Sequence, residues 1–355
     1  MTSIDLLYRR LFHQKIAGPA FDKPEEVVSW FGAVQAQDYP GALWSVGLRM
    51  KDATESGIEK VIAERKIVRS WPMRGTLHFV SSGDIGWMLR LLAPKIIAGN
   101  MARLKRMGID EDTLKRSRKI FTRALQGGKI FTREGMYGLL ESGRVSLSGM
   151  RGIHILWRLA LEGLICSGPR EGKQQTFVLL DEWIPKGREL IFEESLAEIT
   201  RRYFTSHGPA TLEDFAWWAG LRKAEAKEGI ESIKKELVVE KVNDVAYWHA
   251  GTGTLFRVSR NPAYLLPGYD EYMVAYKDRS LLLEPTLLRQ YHHGIVTPKI
   301  IVDGRIAGSW SRRLNGDRVM IELKLFSSLG KTIKHELLKT IKKYGDFLNR
   351  AVEIV

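Results

Sequence analysis

The sequence predicts an α+β protein in which small helical modules, each closed by a pair of strands, precede a β-rich module. A chain of 355 residues is too long for one ordinary core. The order of two helices and a hairpin recurs along the chain. Beyond Leu255, strand-like alternation replaces the helical spacing. We therefore predict three tandem winged-helix (helix-turn-helix) modules followed by a small C-terminal β-barrel-like module.

The clearest of these repeats spans residues 130–180. Thr132 has the side chain expected at a helix N-cap, and Ser142-Gly143 ends the helix that it starts. A basic loop, residues 168–174, separates the two strands and is interpreted as the wing. The predicted elements are helices 133–141 and 149–162 and strands 164–166 and 176–180.

The other two repeats are less regular. Residues 190–249 contain a capping signal at Thr211-Leu-Glu-Asp214, a helix over 225–236 and a hairpin with the turn Asn243-Asp244. The N-terminal repeat has predicted helices 3–16, 23–37, 43–50 and 55–64, and strands 67–71 and 76–80 on either side of a bend at 72–75. The module boundaries that follow are 1–92, 93–182 (connecting helices and the second winged helix), 183–254 and 255–355.

The C-terminal module is predicted from its turn chemistry. Residues 299–310 form a hairpin in this interpretation, because Asp303-Gly304 is a two-residue turn signal between two apolar runs. Residues 318–326 alternate as a third strand, and a basic helix over 332–349 closes the module.

The protein is strongly basic. Its 55 lysine and arginine residues exceed its 41 acidic residues, which gives a formal net charge of +14 and a pI near 9.7. Nucleic acid is the first candidate partner, an anionic membrane surface is the second, and a merely basic protein is the third interpretation. No apolar run approaches the ~20 residues that span a bilayer, and the N-terminus lacks a secretory signal. We therefore expect a cytoplasmic protein that does not enter a membrane.

Most familiar catalytic and cofactor signatures are missing from the chain. Gly251-Thr-Gly253 lacks the third glycine of a dinucleotide loop. The single cysteine, Cys166, excludes an internal disulfide and is expected to be buried. His292-His293 has no further ligand at metal spacing, so we expect neither a metal nor a cofactor. The acidic pairs Asp181-Glu182 and Asp270-Glu271 are interpreted as solvated turn residues.

The segment Val34-Gln35-Ala36-Gln37 is the most informative for function. Pro40 disfavours the helical region for the residue before it, so the predicted helix should end near residues 37–39. Side chains at i and i+2 can face one cleft on an extended segment, whereas on a regular helix they point about 200° apart. An amide does not titrate near neutral pH, so it can orient water but cannot act as a general base. The alternative is two polar residues that close a helix.

A second segment of interest, residues 69–78, has two arginines on either side of an aromatic-proline bend. Such a wing can enter a groove, with Arg69 and Arg74 contacting phosphate or the minor groove. The alternative is a wing packed on its own domain with Trp71 in the core. A basic tract after Asn100 supports affinity without specificity, and its members are Arg103, Lys105, Arg106, Lys115, Arg116 and Arg118.

Four ordered motifs together resemble the AlkZ/YcaQ family of bacterial DNA glycosylases, winged-helix enzymes that excise alkylated purines and unhook interstrand crosslinks. The motifs are Val34-Gln35-Ala36-Gln37, Trp71-Pro-Met-Arg74-Gly75-Thr76-Leu-His78, Leu265-Leu-Pro-Gly-Tyr-Asp270 and Val302-Asp303-Gly304-Arg305-Ile-Ala-Gly308-Ser-Trp310. The family's catalytic motif is Gln, an apolar residue, then Gln in the AlkZ-like branch or Asp in the YcaQ-like branch. Gln35-Ala36-Gln37 fits the former. The resemblance also implies three tandem winged helices with a C-terminal β-barrel.

The resemblance implies a monofunctional DNA N-glycosylase, a hydrolase that removes cationic N7-alkylated purines, bulky adducts or crosslinks included, and leaves an abasic site. Gln35 and Gln37 are then the catalytic residues. The expected partner is double-stranded DNA carrying alkylated purines, and a monomer in the bacterial, nucleoid-associated cytoplasm is expected. Candidate DNA contacts are Arg69, Arg74, Thr76, His78, Arg103, Lys105, Arg106, Arg312 and Arg313. The alternatives are a non-catalytic winged-helix DNA-binding protein such as a transcription regulator, and an RNA-binding or acidic-partner scaffold.

Overall fold

The computed structural model describes residues 2–18, 20–184, 186–251, 262–283, 294 and 296–355. In chain order, the α-helices are α1 (Ser3–His13), α2 (Pro24–Phe31), α3 (Tyr39–Leu48), α4 (Glu55–Ala63), α5 (Ile85–Arg106), α6 (Glu111–Leu125), α7 (Arg133–Ser142), α8 (Arg151–Leu161), α9 (Leu180–Trp183), α10 (Phe192–Ser206), α11 (Leu212–Ala219), α12 (Lys223–Ser232), α13 (Glu271–Val274) and α14 (Lys331–Leu348). The β-strands are β1 (Ala33–Gln35), β2 (Ile67–Met73), β3 (Thr76–Ser81), β4 (Phe131–Thr132), β5 (Ile165–Ser167), β6 (Thr176–Leu179), β7 (Leu237–Val242), β8 (Val245–Ala250), β9 (Ala263–Leu266), β10 (Lys299–Val302), β11 (Arg305–Asn315), β12 (Arg318–Leu325) and β13 (Ala351–Ile354).

The chain divides into two compact units. The first unit combines Met1–Ile58 with Ala197–Val355, and the second unit is Glu59–Leu196. Segments from the beginning and the end of the sequence therefore fold together, while the middle of the sequence forms a unit of its own. The module boundaries given above stay predictions, and the last of them, between 254 and 255, lies outside the described residues.

The first unit is organised around a five-stranded sheet in the order β13-β12-β11-β10-β9. Its neighbours are antiparallel except for the parallel pair β12 and β13. Val302 pairs with Arg305 across Asp303 and Gly304, whose φ angles are +50° and +79°. Positive φ at both central residues is the geometry that favours Asp-Gly in a two-residue hairpin, and the hairpin prediction is confirmed.

An aromatic cluster joins this sheet to helices α3 and α14. The ring of Tyr344 lies 4.9 Å from Trp44 and 5.0 Å from Trp310, measured between centroids. Phe347 approaches α3 so closely that a Cβ at Gly47 would lie 2.6 Å from its ring, which explains the glycine at that position. Such edge-to-face contacts contribute about 0.5–1.5 kcal/mol each beyond the burial of apolar surface. The cluster fixes α3, the helix that follows the glutamine motif.

A separate hairpin in the first unit, β7-β8, follows helices α11 and α12. Thr211 caps α11 by accepting a hydrogen bond from the Asp214 amide at 3.0 Å, as the capping signal predicts. Asn243 and Asp244 form the hairpin turn with φ angles of +49° and +62°, and this prediction is also confirmed. Helix α12 ends at Ser232, and a 3₁₀ turn over Lys234–Glu236 replaces the last turn of the predicted helix.

The second unit contains a sheet whose strands pair in the order β3-β2-β5-β6-β4. Helix α7 begins after Thr132, whose hydroxyl accepts a hydrogen bond from the Gly135 amide at 3.2 Å. Helix α8 and strands β5 and β6 follow in the predicted order. The predicted bend at 72–75 is narrower than expected, because β2 continues through Pro72 to Met73 and only Arg74-Gly75 form the turn. Both turn residues have positive φ, +54° and +72°.

Among the helices that the structure describes, none is long and apolar enough to cross a membrane.

Candidate active site

The Gln35-Ala36-Gln37 segment lies between two helices instead of inside one. Helix α2 ends at Phe31, and Gly32 follows with φ of +79°, its amide bonded to the Val28 carbonyl at 3.0 Å. The prediction of a helix over 23–37 was therefore wrong, because a left-handed glycine ends it early. Strand β1 follows and ends at Gln35.

The proline after the motif starts a helix in the structure. Pro40 occupies the first turn of α3, where its missing N–H would have no partner in any case, and Asp38 is the N-cap residue. The exposed fraction of Gln35 is 6%, whereas Gln37 is exposed. The motif thus presents one glutamine toward the interior and the other toward the surface.

A fully buried carboxylate, Glu271, holds the main chain of the motif. The amide of Gln35 donates to Glu271 Oε1 at 2.7 Å. The indole of Trp218 donates to Oε2 at 2.9 Å, and Nε2 of His207 lies 3.3 Å from the same oxygen. Both Glu271 and His207 have an exposed fraction of 0%. Both carboxylate oxygens therefore have partners within the protein.

His207 is held from its other side by main-chain and hydroxyl groups. Its Nδ1 lies 2.8 Å from Ser206 Oγ, and Ser206 donates to the Arg202 carbonyl at 2.6 Å. The hydroxyl of Tyr276 donates to the His207 carbonyl at 2.8 Å. Burial lowers the pKa of His207, although the nearby Glu271 carboxylate opposes this shift.

Asp270, the neighbour of Glu271, forms a buried ion pair with Arg49. The guanidinium donates to both carboxylate oxygens at 2.8 Å, and Ser45 donates to Oδ2 at 2.6 Å. The Tyr272 amide donates to Oδ1 at 2.9 Å, so Asp270 also caps α13. Bidentate pairing and further donors are what a buried charge requires.

The interpretation of Asp270-Glu271 as solvated turn residues was wrong. Their exposed fractions are 1% and 0%, because their charges are satisfied by Arg49, Trp218 and other groups of the first unit. One signal in the sequence could have indicated this: apolar and aromatic residues flank the pair on both sides, Leu265-Leu-Pro-Gly-Tyr before it and Tyr272-Met-Val-Ala-Tyr after it. The other pair, Asp181-Glu182, is exposed as expected.

Three of the four motifs meet in the first unit. The indole of Trp44, in the helix after the glutamine motif, donates to the Leu265 carbonyl at 2.8 Å. The indole of Trp310 donates to the Leu266 carbonyl at 2.9 Å. A Cβ placed at Gly41 would lie 3.2 Å from Pro267 Cβ, so the third motif packs directly on the start of α3. Gln35, Asp270 and Trp310 thus belong to one continuous structure.

The remaining motif lies in the second unit, and its polar groups are largely used internally. Arg69 has an exposed fraction of 6% and donates to Gln175 Oε1 at 2.8 Å. His78 is fully buried, with Nδ1 2.9 Å from the Thr76 carbonyl and Nε2 3.3 Å from Arg74 Nη2. Arg74 and Thr76 are half-buried. Trp71 is buried in the core, as the packed-wing alternative expects.

The other candidate DNA contacts lie closer to the surface. Arg103, Lys105 and Arg106 are exposed at the C-terminal end of α5, and Arg103 Nη2 lies 3.3 Å from His154 Nε2. On β11, Arg313 is exposed and Arg312 is half-buried, with its guanidinium carbon 5.7 Å from the centroid of the Tyr344 ring. A contact with DNA stays a prediction for all nine candidates.

No metal centre is visible in the described part of the chain, since nowhere in it do three or more His, Cys, Asp or Glu side chains gather to hold an ion. His292 and His293 lie outside the described residues. Cys166 is fully buried, as expected, and burial raises the pKa of its thiol.

Comparisons with known proteins agree with the motifs. A family described as AlkZ-like DNA glycosylases matches residues 28–347. An interstrand DNA cross-link repair glycosylase of Streptomyces sahachiroi is 24% identical over 311 residues, which cover 80% of this chain and 81% of that protein. The solved structure of Streptomyces sahachiroi DNA glycosylase AlkZ matches with a TM-score of 0.79 at 20% identity, and the match covers 100% of both chains. This structural likeness shows a shared mixed α+β fold.

Proposed function

Because the chain belongs to the AlkZ-like family of DNA glycosylases, we propose that it hydrolyses the N-glycosidic bond of purines made cationic by alkylation at N7. The observation that carries this proposal is the Gln35-Ala36-Gln37 segment between β1 and α3, in which Glu271 accepts a hydrogen bond from the Gln35 amide and Gln37 is exposed. A glycosylase that relies on glutamines needs a substrate whose base is already a good leaving group.

The charge of the lesion supplies what the glutamines cannot. A purine alkylated at N7 departs as a neutral base, so no acid is needed to protonate it. What remains is to stabilise an oxocarbenium-like sugar and to place a water at its C1′ carbon. Oriented amide oxygens can do both by hydrogen bonding and by their dipoles. Neutral lesions should therefore be poor substrates.

We assign different tasks to the two glutamines. Gln37, the exposed one, holds the nucleophilic water, and Gln35 orients that water or contacts the sugar. Asp38 is the alternative base, since it is exposed and adjacent to Gln37. It is the weaker candidate because the motif that defines the branch ends at Gln37.

The product should be an abasic site in an uncleaved strand. Strand cleavage by a glycosylase requires an amine that forms a Schiff base with the sugar. Burial lowers the pKa of Lys299 to about 8, which would suit Schiff-base formation, but the exposed fraction of Lys299 is 0%. Such an amine cannot meet a sugar, which favours simple hydrolysis.

Crosslinked or bulky substrates fit the same chemistry. The relative from Streptomyces sahachiroi is named an interstrand DNA cross-link repair glycosylase. If a crosslink joins two purines through N7, each linkage carries the same positive charge as a simple methyl lesion. Attack at the C1′ carbon that carries such a base needs little flipping, provided that the wings and the barrel hairpin hold the duplex from both grooves, whereas most glycosylases spend a few kcal/mol on flipping. We therefore include interstrand crosslinks among the proposed substrates.

We interpret two helix-helix-hairpin groups as winged-helix modules that grip the duplex, namely α7-α8-β5-β6 and α11-α12-β7-β8. The sheet β9–β13 corresponds to the barrel-like module. Exposed cations such as Arg103, Lys105, Arg106 and Arg313 then contact phosphates. If about six phosphates are contacted, the affinity for DNA should fall by ~10³ when the salt concentration rises from 50 to 200 mM. A flat salt response would contradict this part of the proposal.

The decisive experiment is an excision assay on duplex DNA that contains N7-methylguanine. We expect the protein to release the base, and Gln37→Ala to slow release by about 10²–10³-fold, the range for loss of one preorganised hydrogen-bonding group at a transition state. Gln126→Ala is the matched control, because Gln126 is an exposed glutamine at the end of α6 in the second unit. Excision by Gln37→Ala at the wild-type rate would remove the assignment.

Two further outcomes define the limits of the proposal. Tight binding to one DNA sequence without any excision would select the transcription-regulator alternative. Trapping of a covalent protein–DNA adduct by borohydride would show a Schiff base and overturn simple hydrolysis.

A further inference from the structure

We infer that Glu271 is a positioning residue, which fixes the main chain of Gln35 so that the two glutamines keep a constant relation to each other. The inference rests on the proposed glycosylase function. Glu271 is fully buried, and its two oxygens contact Gln35, Trp218 and His207. It therefore does not touch the substrate itself.

The hydrogen bond from the Gln35 amide has the features of a strong constraint. It is 2.7 Å long and ends on an oxygen of a fully buried side chain, where a hydrogen bond is electrostatically stronger than in water. The carboxylate is itself held by Trp218 and His207 on its second oxygen. Because these contacts fix the Glu271 side chain, a movement of strand β1 would break the hydrogen bond from the Gln35 amide. The bond therefore holds the strand in place.

The neighbouring carboxylate, Asp270, forms hydrogen bonds with helix α3, which follows the glutamine motif. Arg49, the residue that ends α3, and Ser45 within α3 both donate to Asp270. Asp270 is also the N-cap of α13, the helix that begins with Glu271. Two adjacent acidic residues therefore contact the two elements that flank the motif. Glu271 contacts strand β1, which ends at Gln35, and Asp270 contacts helix α3, which follows Gln37.

This bracing matters because the proposed chemistry depends on orientation alone. Glutamines do not gain reactivity from a shifted pKa, so their contribution depends on where their amide oxygens lie. A displacement of about 1 Å in a positioned group can reduce a rate by about 10²-fold. We therefore expect loss of Glu271 to slow excision without weakening the binding of DNA.

The test compares five variants of the 355-residue chain with wild type. Glu271→Ala removes the acceptor. Glu271→Gln keeps an oxygen for the Gln35 amide, but its new NH₂ group opposes the indole N–H of Trp218. Adding Trp218→Phe removes that conflict, and Trp218→Phe alone is the parent for comparison. Asp214→Asn is the matched control, since Asp214 is a buried carboxylate of the same unit whose side chain accepts a hydrogen bond from the amide of Thr211, the N-cap residue of α11.

Two measurements separate positioning from other roles. The first is the single-turnover rate of N7-methylguanine release, with the dissociation constant for the same duplex. We expect Glu271→Ala to lower the rate by about 10–100-fold with an unchanged dissociation constant. The double variant Glu271→Gln/Trp218→Phe should release the base at least tenfold faster than Glu271→Ala. The control should stay within about twofold of wild type.

The second measurement is amide hydrogen exchange at Gln35, which does not depend on activity. In Glu271→Ala, this amide should exchange at least tenfold faster, while the amides of β10 keep their wild-type rates. If wild type releases no base, the proposed function fails, but the exchange result still decides whether Glu271 holds the strand.

Two results would overturn the inference. One is a double variant as slow as Glu271→Ala, because restoring an acceptor for the Gln35 amide would then not restore the rate. The other is unchanged exchange at Gln35 in Glu271→Ala, since the strand would then be held by other contacts.

Discussion

Compared with the candidate DNA contacts at the end of α5 in the second unit, which are exposed, the ionisable side chains next to the candidate active site in the first unit are buried. Arg49, Asp270 and Glu271 have exposed fractions of 1% or less. The cations at the end of α5 in the second unit, Arg103 and Lys105 among them, lie on an exposed helix surface. Buried charges act at short range and fix geometry, whereas exposed charges attract a polyanion and are screened by salt. If the proposed function holds, we expect the first unit to set the reaction rate and the second unit to contribute affinity.

The largest effect is expected from breaking the buried pair of the first unit. Asp270→Ala leaves the Arg49 guanidinium buried without its carboxylate, which should lower the free energy of unfolding by about 3–5 kcal/mol. The matched change in the second unit is Asp84→Ala, which removes a buried carboxylate bonded to the Trp87 indole and should cost only about 1–3 kcal/mol. Urea unfolding, with hydrogen exchange as a unit-specific probe, measures both, and equal losses would contradict the comparison.

The next effect concerns a buried histidine of the first unit. Burial lowers the pKa of His13 to about 4 from 6.5. Between these pH values, the unfolded chain binds a proton at His13 that the folded chain does not bind. The stability contributed by neutral His13 is complete above pH 6.5 and is lost as the pH falls through 4. The shift in the pKa of His13 corresponds to about 3 kcal/mol in the free energy of unfolding.

His13→Gln tests this sign. The stability of wild type should fall more steeply than that of the variant between pH 7 and 4. His154→Gln is the counterpart in the second unit, where the half-buried histidine also has a pKa lowered by desolvation. It should change the pH dependence much less, and parallel curves for wild type and His13→Gln would show that His13 does not contribute.

A third test addresses the exposed cations of the second unit. Replacing Arg103, Lys105 and Arg106 together with alanine should weaken duplex binding by about 10–100-fold at physiological salt and reduce the salt slope by up to about three. The single-turnover rate at saturating protein should not change. Lys234→Ala is the control, because Lys234 is an exposed cation paired with Glu231. A slower rate at saturation would mean that the second unit also sets the chemistry.

The smallest effect should come from two tryptophan-to-phenylalanine changes. Trp44 donates to the Leu265 carbonyl in the first unit, and Trp157 donates to the Gly75 carbonyl in the second. Each change should cost about 1 kcal/mol of stability. We expect Trp44→Phe to slow excision slightly and Trp157→Phe to affect binding alone. Excision and binding assays measure both effects. If Trp44→Phe affected only binding and Trp157→Phe slowed excision, the proposed difference between the two units would be wrong.

Local chemistry explains which parts of the fold could be predicted from the sequence. The turns Asp303-Gly304 and Asn243-Asp244 and the caps Thr132 and Thr211 depend on residues adjacent in the chain, and all four appear in the structure. The end of α2 could not be placed, because Gly32 shows its positive φ only in the folded chain.

The candidate site was only partly visible in the sequence. The motif at Gln35 and Gln37 could be identified, but not the groups that hold it. Glu271 looked solvated because its partners, Trp218 and His207, come from other parts of the chain. Sequence patterns report neighbours along the chain, whereas a buried ion is satisfied by neighbours in space.

The hydrogen bond between Gln35 and Glu271 joins residues 236 positions apart, and the whole second unit is synthesised between them. During translation the glutamines leave the ribosome long before the carboxylate that holds them. The second unit can fold in the interval, since domains generally fold as units in the order of synthesis. The first unit must wait for its C-terminal segment, and closing so long a loop is slow. A nascent chain thus carries the glutamine motif without its contact to Glu271, and the proposed excision activity should begin only once synthesis has passed residue 271.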